Sequence, residues 1–351
     1  MPSNFAATVL QDYISEYGGR FDQHEQRPSE YGALNMFRAQ TRSAQSILDP
    51  QVEANIEKSF NRSVKIPVIN YKDVAIGNVR SCALQSDGLT SQLVTLTAVT
   101  YAWGFVIYPM QHYENYVSYQ TAINRLIEAG LQKLASTIDA GCVNVLETNK
   151  NQYFPQKMLD YYPVVGNAFQ VPQAEKNDFY NKLLSIFRDA DFTGNVDVVT
   201  NHIGMASVRR LSAQGEGNAV NEGFQFLGYI WYPTARVNNG SSAIESTLYA
   251  VAPGTVALKS RNSPDAKART IIHQGKYWEI MSNAPYVGMD LDVFYQKDCA
   301  DASAIEAATM AGLTQTSVES WQFAVDVFYI KGYNSSPSTR YEGIFKAEIL
   351  A

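Results

Sequence analysis

Val99-Thr-Tyr-Ala-Trp-Gly-Phe-Val-Ile107 decides how this 351-residue chain is read. Val99, Tyr101, Trp103, Phe105 and Ile107 fall on one face and Thr100, Ala102, Gly104 and Val106 on the other, the two-residue period of a β-strand. Upstream, Ser86-Asp87-Gly88-Leu89 supplies a turn, because Asp-Gly tolerates the positive φ that a tight hairpin needs. The sequence therefore predicts one long hairpin over residues 66–108 with its tip at Asp87-Gly88. Each arm would run for roughly 15 to 20 residues, about 50 Å or more, where ~5 to 6 residues is usual. The distal part, residues 74–97, is poor in aromatics, and Lys72, Asp73, Arg80 and Asp87 lie in or beside it. A two-stranded ribbon is marginal in water, so it is expected to lean on another subunit.

Beyond Pro109, Tyr116, Tyr119, Ile123, Ile127, Gly130, Leu134 and Ile138 recur at spacings of three and four, the apolar stripe of a helix. The spacing predicts a helix over 112–140, with His112 at its start and Gly141 as its C-cap. At roughly 27 residues and ~40 Å it would form a spine.

Composition bounds the function. The chain is 46% hydrophobic, 18% charged and 12% aromatic, enough apolar surface for one large core or two modest ones. A net charge of -6 with no strongly basic run argues against a general nucleic-acid binder. Cys82, Cys142 and Cys299 lie far apart without C-x-x-C spacing, which fits reduced thiols in a cytoplasmic setting. The start, Met1-Pro-Ser-Asn, lacks signal-peptide character, and no apolar run reaches the ~18 to 20 residues of a membrane span. A soluble, unexported chain is expected.

Residues 1–65 read as an extended N-terminal arm with short helices at 6–17 and 31–48, too poor in apolar surface to fold alone. Residues 143–171 form an irregular crossover. A helix over 173–189, a strand over 196–200 and a helix from Asn201 make a small mixed lobe. Strands follow at 224–232, 247–251, 255–258, 277–281, 289–295, 321–331 and 344–350, with a helix at 302–311. No βαβ rhythm is evident, so the fold class is α+β.

No motif carries chemistry. His24, His112, His202 and His273 make no H-E-x-x-H or i, i+4 pair, and Ser207 and His202 stand five apart on one helix, facing different ways. Gly215-Glu-Gly217 follows a helix and has Val220 where a dinucleotide loop needs its third glycine, so it reads as a flexible turn. Asp189-Ala-Asp191-Phe-Thr193-Gly194 imitates the start of a calcium loop, but position twelve is Thr200 in place of Glu, which favours a helix-ending turn. Glu175 with Asp178, or Asp189 with Asp191, read as solvated helix faces, because sequence sets no carboxylate separation. No catalytic residue, cofactor site or metal site is expected.

The order of elements is similar to something known. The stretches 97–107 running into 113–139, 196–215 followed by 224–232, and Ala250-Val-Ala-Pro-Gly-Thr-Val-Ala257 resemble the major capsid protein of tailed bacteriophages, the Hong Kong 97-type fold. The resemblance implies an N-terminal arm (1–65), an extended hairpin loop (66–108), a peripheral domain with the spine helix (109–164 and 326–351) and an axial domain (165–325). It also implies a non-enzymatic subunit of an icosahedral shell, joined to itself in hexamers and pentamers, with inter-subunit contacts at Arg80, Ser86, Asp87, Gly88 and Leu89. Packaged DNA bound without sequence specificity, scaffolding, portal and decoration proteins, and a virion location after assembly in the host cytoplasm follow from it, with no membrane. Some members cross-link through a Lys–Asn bond promoted by Glu. Lys72 and several asparagines are present, but no residue matches that motif. An encapsulin-like nanocompartment, a phage tail or baseplate component, and a metal-free carbohydrate-active enzyme are the competing readings.

Overall fold

The computed structural model describes residues 31–43, 46–59, 61–69, 91–109, 116–214, 224–226, 228–269, 271–273, 276–301 and 315–351. In chain order the first elements are α1 (Gly32–Arg42), α2 (Pro50–Lys58), β1 (Ser63–Ile69), β2 (Ser91–Thr97), β3 (Val99–Ile107) and α3 (Tyr116–Thr148). Then come α4 (Gln156–Leu159), β4 (Val164–Val165), β5 (Ala168–Val171), α5 (Lys176–Asp189), β6 (Val196–Thr200), α6 (His202–Gln214), β7 (Phe224–Phe226) and β8 (Tyr229–Pro233). The rest is β9 (Ile244–Val251), β10 (Val256–Arg261), α7 (Pro264–Lys267), β11 (Ile271–His273), β12 (Lys276–Met281), β13 (Leu291–Asp301), β14 (Gln315–Lys331) and β15 (Ile344–Leu350). The class is α+β.

The chain resolves into two compact units whose boundaries differ from those expected from sequence. One comprises Met1–Leu34, Ala98–Gly141 and Lys259–Phe328, the other Asn35–Thr97, Cys142–Leu258 and Tyr329–Ala351. The strands within 259–325, expected in the axial lobe, thus share a unit with the Tyr116–Gly141 part of the spine helix. The cause is strand pairing across more than 200 residues of sequence. β3 forms an antiparallel ladder with β14 from Val99↔Val327 to Ile107↔Glu319, and β14 pairs in turn with β13, and β13 with β12. Of the expected single hairpin, β1 and β2 are the parts that pair with each other among the described residues, from Ser63↔Thr97 to Ile69↔Ser91. The aromatic half belongs to the larger sheet.

In the first unit the inward face of β3 does what its alternation foretold. Trp103 stacks on Phe323 at 4.6 Å and Trp321 meets Tyr295 edge-on at 4.9 Å, with Ile123, Ile127, Leu131 and Leu134 of α3 fully or almost fully buried. Gly130 of the helix lies under Trp103, and a Cβ there would stand 2.0 Å from the indole Nε1. The glycine is a packing requirement.

α3 runs on through Gly141 to Thr148, 33 residues in all, which corrects the expected C-cap. Cys142 and Leu146 continue the buried stripe of Ile138 at four-residue steps, and their burial outweighs the ~1 kcal/mol that a helical glycine costs.

The second unit is built on a mixed sheet in the order β4-β5-β15-β9-β6-β8-β7. β5 lies parallel to β15, and β6 parallel to β8, with α6 in the connection, so one parallel crossover occurs where none was expected. The expected strand 224–232 is a hairpin, β7 and β8, bent at Gly228 with φ +82°. α5 lays Phe179, Tyr180, Leu183, Ile186 and Phe187 onto a core that includes Phe169, Trp231 and Phe345. The expected helices at 6–17 and 302–311 lie outside the described residues.

Replacing Gly130 by Ala should destabilise the protein by about 1–3 kcal/mol, the cost of overpacking, although propensity alone would favour Ala by ~1 kcal/mol. Chemical denaturation checks the sign. The double variant with Trp103→Phe should recover part of the loss.

Candidate functional site

β1 and β2 form a sheet of their own, and no third strand joins them among the described residues. Their register places Val64 with Leu96 and Ile66 with Val94 on one apolar face. Val64 is buried, whereas Ile66, Val68, Val94 and Leu96 are only half-buried. On the opposite face Pro67 pairs with Leu93, which is 63% exposed. Two strands alone are marginal in water, so a ribbon with an apolar face half covered calls for further contact. The two edges differ. Lys65 and Pro67 lie on β1, residue types that blunt an edge, whereas β2, Ser91-Gln-Leu-Val-Thr-Leu-Thr97, has neither charge nor proline.

Of the residues expected to make inter-subunit contacts, Arg80, Ser86, Asp87, Gly88 and Leu89 lie outside the described residues, as do Lys72, His112 and Gly215-Glu-Gly217. The residues that sequence reasoning missed are Leu93, Val94 and Leu96. Their alternation was short, but the uncharged run 91–97 was its visible signal.

The start of the described chain is held firmly. α1 has no acidic residue in its first turn, and its N-terminus is capped from afar: Leu34 N–H donates to the buried Asp139 Oδ1 of α3 at 2.8 Å. A carboxylate there satisfies an orphan amide and complements the helix dipole. Tyr31 OH donates to Gln132 O at 3.3 Å, and the Tyr31 ring meets Tyr286 edge-on. Tyr286 OH in turn donates to Glu128 Oε1 at 3.1 Å.

Within the second unit, the last turn of α3 carries an ion network. Glu147 accepts from Lys150 Nζ at 2.6 Å and from Tyr249 OH at 2.6 Å, and pairs with Lys346 at 3.1 Å. Lys346 also pairs with Glu348 at 2.8 Å, and Glu348 accepts from Gln170. Partial burial would raise the Glu147 carboxyl, but the hydrogen bonds from Lys150 and Tyr249 and the Lys346 charge outweigh it and hold it down at about 2. These groups answer one another, which makes a brace and leaves no poised acid or base.

The other acidic groupings are equally occupied. Buried Glu319 accepts from Tyr119 OH and from Lys297 Nζ, and Asp326 accepts from Arg261 and Thr100. Asp189 closes α5 as a helix-ending turn: Lys157 and Tyr161 each donate to its carboxylate at 2.7 Å, and Lys157 beside it holds the group below its usual range. Among the described residues no group of three or more His, Cys, Asp or Glu side chains is placed to hold a metal, and no helix is long and apolar enough to cross a membrane. Cys142 and Cys299 are free thiols.

No family model matches the sequence, and no curated protein does. Solved structures of similar course include one from Mycobacterium phage Che8, at 12% identity and a TM-score of 0.47, covering 86% of this chain and 89% of that one. Another is the capsid of Ralstonia phage GP4, at 7% identity and a TM-score of 0.46, covering 88% of each. A third is the mature capsid of bacteriophage PhiM1, at 9% identity and a TM-score of 0.44, covering 82% of each.

Replacing Asp139 by Ala should cost about 1–3 kcal/mol, since it strands the Leu34 amide in a buried setting. Amide hydrogen exchange would locate the loss at the start of α1. Glu147 gives a pH signature. Its folded pKa lies below the unfolded value of 4.5, so its contribution is present above about 4.5 and is lost as pH falls through about 2. Glu147→Gln should cost on the order of 1 kcal/mol at neutral pH, after allowance for a carboxylate open to solvent on one side, and should flatten the acid limb of the stability curve.

Proposed function

We propose that this chain is the major capsid protein of a tailed bacteriophage, a structural subunit that assembles with copies of itself into an icosahedral shell around DNA. The observation that carries the reading is the β1–β2 ribbon, whose apolar face is only half covered within its own chain. The succession of arm, ribbon, spine helix, mixed lobe and returning strands, on which the sequence resemblance rests, supports it. The buried Glu319 and the partly buried Asp326 and Glu147 are each paired or hydrogen-bonded, which fits a structural role.

On this reading the unit holding Ala98–Gly141 and Lys259–Phe328 is the peripheral domain and the unit holding Cys142–Leu258 the axial domain. The ribbon and the contacts assigned to Arg80, Ser86, Asp87, Gly88 and Leu89 join subunits within hexamers and pentamers. Scaffolding, portal and decoration proteins are further partners, and the shell lies in the virion after assembly in the host cytoplasm. A net charge of -6 suits a shell that tolerates packaged DNA without gripping it. Segments marginal alone are stabilised by burial between subunits, so that assembly couples to folding by mass action.

Negative-stain electron microscopy of the purified full-length protein tests this. Closed icosahedral particles are expected, and rings or tubes would point instead to a tail or baseplate component. Leu93→Asp, at a position 63% exposed in the subunit, should leave thermal stability within about 0.5 kcal/mol yet abolish particles. Deleting residues 79–93 should do the same, and normal shells from both variants would remove the role given to the ribbon.

A further inference from the structure

Asp197 is an acid inside β6, Val196-Asp-Val-Val-Thr200, a strand buried at every position. Its Oδ2 accepts from Gln40 Nε2 at 2.8 Å. Gln40, itself 2% exposed, is a hub: Nε2 also donates to Ala252 O at 3.2 Å, and Oε1 accepts from Val256 N–H at 3.2 Å. The next residue, Thr41, accepts from Leu258 N–H at 2.8 Å through Oγ1. The second half of α1 is thereby fastened to β6, to the end of β9 and to β10 within one unit.

The charge on Asp197 is met only by this neutral amide, with no ion pair to it among the described residues. β8 and β9 place Ile230 and Val251 opposite it, and the ionisable group that faces it is Tyr232 of β8. That hydroxyl is pushed up by burial and then by the Asp197 charge, so it stays neutral and offers no compensation. A carboxylate out of water without a cation is costly, and the cheapest remedy is a proton.

We propose that Asp197 and Gln40 form a proton-operated latch, which holds the second half of α1 against β6, β9 and β10 more firmly in mildly acidic solution than at neutral pH. The step is the uptake of one proton by one carboxylate. The carbonyl oxygen of the neutral acid still accepts from Gln40 Nε2, so the clamp is kept while the buried charge is removed. Burial pushes the Asp197 carboxyl up to about 6, with the Gln40 bond opposing. The folded value therefore lies above the unfolded 3.8, and the folded chain holds this proton roughly a hundredfold more tightly. The added stability is absent at neutral pH, grows as pH falls through about 6, and is complete below 3.8. The latch stands whether or not the chain builds a shell.

Hydrogen exchange of the amides of residues 35–42 in the full-length protein, corrected for intrinsic rates, is the test. Between about pH 7.5 and pH 5 their protection should rise roughly tenfold in the wild type. Asp197→Asn, which mimics the neutral acid, should be protected at both pH values without that rise. Infrared titration gives a second readout: a protonated-carboxyl band appearing near pH 6 in the wild type, absent in Asp197→Asn, and shifted to higher pH in Gln40→Leu, where the bond favouring the charged form is gone. A wild-type response retained in Asp197→Asn overturns the latch. If Asp197→Asn does not fold, a wild-type band that stays put in Gln40→Leu, or no carboxyl titrating near pH 6, does so.

Discussion

The ladder between β3 and β14 is the constraint on which the rest of the molecule depends. Nine successive pairs, Val99↔Val327 to Ile107↔Glu319, bind the strand that leads toward the spine helix to a strand near the C-terminal end of the chain. This ladder presents Trp103 and Phe105 beside Trp321 and Phe323 as one aromatic layer, and Gly130 is the position at which the helix yields to it. Aromatic stacking of this area dominates core energetics, so the placement of α3 within its unit follows from the ladder. The same ladder takes β3 into its own sheet, so that among the described residues β1 and β2 pair with each other.

What was legible in the sequence was local. The strand Val196–Thr200 and the helix after it could be read because four apolar or β-branched residues, Val196, Val198, Val199 and Thr200, precede Asn201, whose side chain caps α6 by accepting from Gly204 N–H at 2.8 Å. The alternation of 99–107 gave the strand and its inward face, and the three- and four-residue spacing gave the spine. Its end was misjudged at Gly141, since local punctuation was outweighed by the burial of Cys142 and Leu146. The partner of β3 was invisible for another reason. A ladder between residues some 220 apart leaves no trace in either segment, and a turn signal at Asp87-Gly88 drew the reading toward a nearer partner.

The polar interior follows the same division. Asp139 and Gln132 lie on the spine as any solvated helix residues would, and only the fold reveals that one caps α1 and the other receives Tyr31. Asp197 did carry a signal, an acid within an otherwise apolar strand, but its partner Gln40 is 157 residues away. Acids in this molecule meet burial in two ways. Glu147 is only partly buried, lies among cations and a phenol and stays charged, whereas Asp197 is buried beside an amide and is driven toward neutrality.

These two solutions give the second unit opposite responses to acid. The Glu147 contribution begins to fall only below about 4.5 and is lost as pH falls through about 2, whereas Asp197 gains its proton as pH falls through about 6. Over mild acid, therefore, the Glu147 brace is unchanged while the attachment of α1 tightens. α1 is held at two places by two acids: Asp139 caps its N-terminus at the Leu34 amide, and Asp197 accepts from the Gln40 side chain in its second half. The grip on one helix can thus change with a single proton while the apolar cores that define the fold, which carry no charge, are left as they are.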